Sequence, residues 1–173
     1  MIQKLRITSP PIIDLEASGL ASNSYPIEVG LALAPGQRFC ALIKPADEWE
    51  HWDQQAESVH GISRDVLAKK GRSVTEIATE LNQLLSNRTV YSDAWGVDSS
   101  WVTTLFAAAR MNKVFNVSAL EMILNEQQID VWMETRNEVV RDLDLARHRA
   151  SNDAWIIQET YARTLAMTSP ATL

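Results

Sequence analysis

Apolar and polar positions along this chain change period several times, and each change marks an element. Residues 12–15 (IIDL) start an apolar run that reads as a first strand. Residues 27–33 (IEVGLAL) and 38–44 (RFCALIK) are two more β-rich runs, separated by APGQ. A Pro-Gly pair between apolar runs signals a turn, so these two predict a hairpin and residues 1–44 a three-stranded start. Residues 45–53 are polar and read as loop. ESVHGISRDVLAKKGRS predicts short helical pieces divided by Gly61 and Gly71.

In SVTEIATELNQLLSN, Ile77, Leu81, Leu84 and Leu85 recur at helical spacing, and Ser73 precedes Glu76 by three as in a capping box. RTVYS predicts a short strand. Residues 98–111 predict a helix with Trp101, Val102, Leu105 and Phe106 on one side and Asp98, Ser99 and Ser100 at its capped start. KVFNV predicts another strand, and residues 118–146 a mainly helical stretch with a break near Asn125. SNDAWIIQETYARTLAM is a last helix, with Ser151 or Asn152 as its cap. Together these elements predict an α/β fold, one mixed sheet covered by helices.

At 173 residues the chain is the size of one domain, so residues 1–173 are expected to form a single unit with its own core. The lone cysteine, Cys40, excludes an internal disulfide and reads as a small apolar residue buried on a strand. With no signal-like segment and no apolar run of membrane length, the expected location is cytoplasmic, away from membranes. A net charge of -6 and a pI near 5.1 argue against a protein that coats duplex nucleic acid. They leave room for an acidic site that recruits divalent metal.

Asp14 and Glu16 stand two apart inside the first apolar run. An Asp-x-Glu triplet is common by chance, so its setting carries the meaning. Residues two apart on a strand face the same side, and Ile13 and Leu15 then face the other. Two like charges so close are costly unless a cation joins them. In RHRASNDAW, His148 and Asp153 are five apart. On one continuous helix they would diverge by about 140°. A helix starting between them lets both converge on one point. Asp98, in VYSDAWGVDSSW, follows a strand and starts a helix, a place where α/β sheets hold ligands.

Asp14, Glu16, Asp98, His148 and Asp153 occur in the order of the DEDDh 3′–5′ exonucleases, the family of proofreading exonuclease subunits, ribonuclease T and oligoribonuclease. IIDLEASGL resembles the family's first motif, YPIEVGLAL its second strand, VHGIS its His-Gly-Ile segment and HRASNDA its third motif. The resemblance spans about residues 11–165. It departs at the second motif, where Asp93, Ala94 and Val97 replace the usual His, Asn and Phe, and at Ala17, which replaces Thr. It implies a ribonuclease-H-like mixed five-stranded sheet flanked by helices.

The resemblance further implies hydrolysis of the last phosphodiester at the 3′ end of a single strand, with two Mg²⁺ or Mn²⁺ ions held by Asp14, Glu16, Asp98 and Asp153. Hard cations of this kind take oxygen ligands. By the same resemblance Asp14 bridges the two ions, Glu16 and Asp153 serve the ion that activates water, and Asp98 lies on the other side. His148 is then the general base, a role suited to an unperturbed pKa of ~6.5. Ala17, Ser18, Leu20, Ile62 and Trp95 are the candidate substrate contacts: Leu20, Ile62 and Trp95 as apolar faces for stacking, and Ala17 because the resemblance puts its position near the scissile nucleotide. Trp101 reads as core, the KKGR run at 69–72 as a solvated turn that could meet phosphates, and Asp93 as a turn residue. No further cofactor is implied. DNA and RNA both stay open, as does a homodimer, the state of ribonuclease T and oligoribonuclease. The competing readings are a silent binding module on the same fold and an internally cutting ribonuclease-H-like enzyme.

Overall fold

The computed structural model describes residues 9–34 and 36–169. Its centre is a five-stranded sheet in the order β3-β2-β1-β4-β5. Three antiparallel strands come first: β1 (Ile12–Ala17), β2 (Pro26–Ala34) and β3 (Gln37–Leu42). Gly36, at φ +81°, turns β2 into β3, a conformation open to glycine for want of a Cβ. Its partner in the predicted turn, Pro35, lies outside the described residues. Strands β4 (Thr89–Ser92) and β5 (Asn116–Ala119) add in parallel on the other side of β1. The mixed α/β, ribonuclease-H-like architecture expected from the sequence is therefore the one observed.

Alternation along β1 sorts its side chains between two cores. Ile13 and Leu15 face one layer, packed with α3 (Val74–Leu85) and α4 (Trp95–Ala108) through Ile77, Leu81, Val102 and Leu105. Ile12 faces the other, where Leu120, Ala154 and Ile157 meet it. That second layer is built from α5 (Glu126–Leu143) and α6 (Ala150–Thr168). Asp14 and Glu16 share the parity of Ile12 and so turn towards α6. A third cluster, Tyr25, Ile27, Ile62 and Leu67, anchors the short helices α1 (Gln54–His60) and α2 (Arg64–Lys70).

The capping box predicted at Ser73 and Glu76 is present, and a second, Asn125 with Gln128, starts α5 after a 3₁₀ turn at Leu120–Ile123. Two helix starts differ from expectation. Helix α4 begins at Trp95 after Ala94, which offers no capping side chain, so Asp98 lies in the first turn and not at the cap. Helix α6 begins at Ala150, so Ser151 and Asn152 are inside it and Arg149 holds the cap position. Cys40 is exposed on the edge strand β3, not buried; among the described residues no strand pairs with its outer side. Among the described residues no helix is long and apolar enough to cross a membrane.

One contact fixes α6 against the sheet. A Cβ placed on Gly30 would lie 2.1 Å from the carbonyl carbon of Ala150 and from the amide nitrogen of Ser151. Only a residue without a Cβ lets the helix backbone come so close. Gly30 is the register partner of Asp14 across β1 and β2. The helix is thus seated beside the strand position that carries the first carboxylate.

Candidate active site

Asp14, Glu16 and Asp153 each offer one carboxylate oxygen within 4.8 Å of the others. Asp14 and Glu16 come from β1, and Asp153 from the first turn of α6. The oxygens are close enough for one divalent ion. All three donors are hard oxygens, the set that Mg²⁺ or Mn²⁺ prefers.

A bare cluster of this kind resists ionisation. Burial, then the charges of Asp98, Glu16, Asp153 and Asp93, hold the Asp14 carboxyl well above its ordinary range. Burial, with Asp153, Glu28 and Asp98, pushes Glu16 up to about 7 against the opposing pull of Arg149. A divalent cation is the natural partner for such a set, because it favours the charged forms that burial disfavours.

Asp98 is 2% exposed, lies outside the group of three, and accepts two hydrogen bonds of its own. The Ser92 hydroxyl donates to its Oδ2 at 2.5 Å, and the Leu15 amide donates to its Oδ1 at 3.2 Å. Burial nonetheless raises it to about 7, with Asp93 adding to the effect. Asp98 is still the leading charge acting on Asp14, so it belongs to the same electrostatic neighbourhood.

Asp153 is oriented by two donors. The Arg147 Nε donates to its Oδ1 at 2.6 Å, and the Arg149 amide to its Oδ2 at 3.1 Å. Between them His148 is exposed and takes φ +59°, a left-handed conformation that sends the chain sharply into α6. Asn152 reinforces this turn by donating to the Ala146 carbonyl at 2.9 Å.

Glu28, fully buried on β2, has a structural part that the sequence did not reveal. Its carboxylate accepts from Nε and Nη2 of Arg149, the shorter at 2.6 Å, and from the Ala150 amide at 2.8 Å. It thereby ties the free N–H end of α6 to the sheet, where a negative charge suits the helix dipole. The signal was present in the Ile-Glu-x-Gly resemblance, since Glu28 grips α6 while Gly30 clears space for it.

Beside Glu16 lies a cleft of about 360 Å³, lined by Leu15, Ala17, Leu20, Val59, His60, Val97 and Trp101 among others. Ala17 and Leu20 are among the candidate contacts that line this cleft, and Leu20 is 86% exposed. Ile62 is not. After the left-handed cap at Gly61 its amide donates to His60 Nδ1, and its side chain points into the Tyr25 cluster with 3% exposure. Val59 occupies the cleft position instead. Ser18 is fully buried, with its hydroxyl accepting from the Tyr25 amide.

Trp95 is outside the lining, and its indole donates to the Val117 carbonyl at 3.0 Å. Trp101 is core, as expected, yet one side of it reaches the cleft. Asp93 faces Arg136 of α5 at 3.6 Å, and Arg72 of the KKGR run is paired with Glu80.

No family model and no curated protein matches the chain. Solved structures do. E. coli exonuclease I in complex with a dA16 oligonucleotide is 12% identical, with a TM-score of 0.67 over 92% of this chain and 41% of that one. The zinc-ion-bound form of the E. coli exonuclease I complex with single-stranded DNA is 14% identical, with a TM-score of 0.67 over 92% and 41%. The moderately thermophilic exonuclease I from Methylocaldum szegediense gives 14% and 0.67 over 93% and 41%. The chain thus shares the fold of these nucleases and spans about two fifths of their length.

Proposed function

We propose that residues 1–173 form one exonuclease domain that removes nucleotides from the 3′ end of single-stranded nucleic acid with divalent metal. The observation that carries this reading is the meeting of Asp14, Glu16 and Asp153 within 4.8 Å beside an apolar cleft. The shared fold adds weight, since the exonuclease I structures hold single-stranded DNA.

Asp14, Glu16 and Asp153 would hold one Mg²⁺ or Mn²⁺ ion, and Asp14 with Asp98 a second. Bound there, such ions supply charge neutralisation at the phosphate and acidify an attacking water. The chain's own groups do the remaining work. His148, exposed on the segment leading into α6, accepts the proton of the attacking water as general base. Leu20, Val59 and Val97 offer apolar faces to the terminal base, and Ala17 leaves space next to Glu16. Arg149 and Glu28 hold the first turn of α6, and with it Asp153, in position.

The test is digestion of matched, 5′-labelled DNA and RNA oligonucleotides with Mg²⁺ or Mn²⁺. Stepwise shortening from the 3′ end with release of mononucleotides supports the reading and names the preferred sugar. Asp14→Asn and Asp153→Asn should abolish it. His148→Ala should keep metal and oligonucleotide binding and lose turnover by at least about 100-fold. No shortening of either strand with either ion would overturn the reading and leave the silent binding module.

A further inference from the structure

Three consecutive residues, Arg147, His148 and Arg149, lead into α6, and their side chains have different partners. Arg149 is committed: its guanidinium grips the buried Glu28 carboxylate through Nε and Nη2. Arg38, the other guanidinium near this helix start, lies 4.3 Å over the Trp155 ring and donates to Asn152. Arg147 is different. Only its Nε is engaged, on Asp153 Oδ1, and among the described residues its Nη1 and Nη2 make no hydrogen bond. Its side chain is 34% exposed while that of Asp153 is 9% exposed, so the guanidinium reaches from the carboxylate trio towards solvent.

A guanidinium carries five donors in a rigid plane, and a phosphate accepts two of them side by side. Here one edge is fixed by a carboxylate of the trio and the outer edge is free. A polyanion approaching a protein of net charge -6 needs local cations where its backbone comes closest. We propose that Arg147 is a substrate-binding residue that holds a backbone phosphate of the single strand next to the Asp14, Glu16 and Asp153 cluster. This rests on the nuclease reading and deepens it. The arginine plays two parts: it orients Asp153 through Nε and grips phosphate through Nη1 and Nη2.

The experiment measures binding without turnover. A 5′-fluorescein dT12 strand and its rU12 counterpart are titrated by anisotropy with Ca²⁺ in place of Mg²⁺, over a series of salt concentrations. Arg147→Gln, which keeps a donor for Asp153, should weaken binding about tenfold for both strands. It should also lower the slope of log affinity against log salt by about 0.7, the signature of one lost contact on a single strand. Arg147→Lys should recover the salt slope and part of the affinity, which separates phosphate contact from misfolding.

Unchanged affinity and slope in Arg147→Gln would overturn the proposal. So would weaker binding with an unchanged slope and a matching change in the Ca²⁺ midpoint, since Arg147 would then only orient Asp153. If the unaltered protein binds neither strand, the nuclease reading falls, and the proposal with it.

Discussion

Without metal, the protein should lose stability as pH rises through neutrality. Asp98 is pushed by burial from 3.8 to about 7, and Glu16 from 4.5 to about 7. In the unfolded chain both return to their ordinary values. Folded pKa values above unfolded ones mean that the folded state binds more protons between about pH 4 and pH 7. Stability is then full below the unfolded values and is lost as pH climbs through the folded ones. At 1.36 kcal/mol per tenfold change, Asp98 alone accounts for about 4 kcal/mol and Glu16 for about 3. Asp98 is itself one of the charges acting on Glu16, so the two are not independent and a combined loss of about 4–6 kcal/mol is expected between pH 4.5 and 8.

The assay is urea unfolding in EDTA, followed by tryptophan fluorescence, at half-unit pH steps. Saturating Mn²⁺ should reverse the trend above pH 7, because the ion binds only the charged cluster of the folded state. An EDTA-treated protein as stable at pH 8 as at pH 5 would refute the reasoning. So would an Asp98→Asn variant with the same pH slope as the unaltered chain.

Other expected outcomes rest on the seating of α6. Gly30→Ala puts a methyl 2.1 Å from the Ala150 backbone, so the start of α6 must retreat by more than an ångström. Mn²⁺ affinity by calorimetry should fall at least about tenfold, with a clear drop in Tm. Glu28→Ala leaves the Ala150 amide and the Arg149 guanidinium without their shared acceptor. The cost by urea unfolding should be about 2–3 kcal/mol, below that of a fully buried pair because Arg149 is 42% exposed and can rehydrate. Leu20→Ala removes the most exposed apolar group of the cleft and should raise KM for a single strand several-fold with little change in kcat.

Local signals were enough for β1, for α3 with its capping box, and for the shared face of Asp14 and Glu16, because each depends on neighbours within a few residues. The start of α4 was misread because Ala94 provides no cap to see, while Asp98 and two serines imitate one. The start of α6 was misread for a related reason: its cap comes from Glu28, over 120 residues away. Ile62 looked available in HGIS, yet the left-handed Gly61 turns it inward, which only the packing around Tyr25 decides. Cys40 sits on β3, and nothing in RFCALIK says that this strand ends the sheet. Glu28 and Gly30 were visible as a motif, but their purpose lies in the helix they receive.

The close approach of α6 at Gly30 also sets a timetable. Two of the three clustered carboxylates lie in the first sixteen residues, and the third arrives only at position 153. A nascent chain that has not yet reached α6 carries Asp14 and Glu16 but not Asp153, and so no completed trio. Docking of α6 into the gap above Gly30 then sets Asp153 beside the two early acids and adds to the charge that holds them above their ordinary range. A one-residue slip between β1 and β2 would place a valine or leucine side chain in that gap and bar the helix altogether. A divalent ion held by these three acids would therefore act as a proof of correct assembly, available only to a chain whose first hairpin and α6 have found the same register.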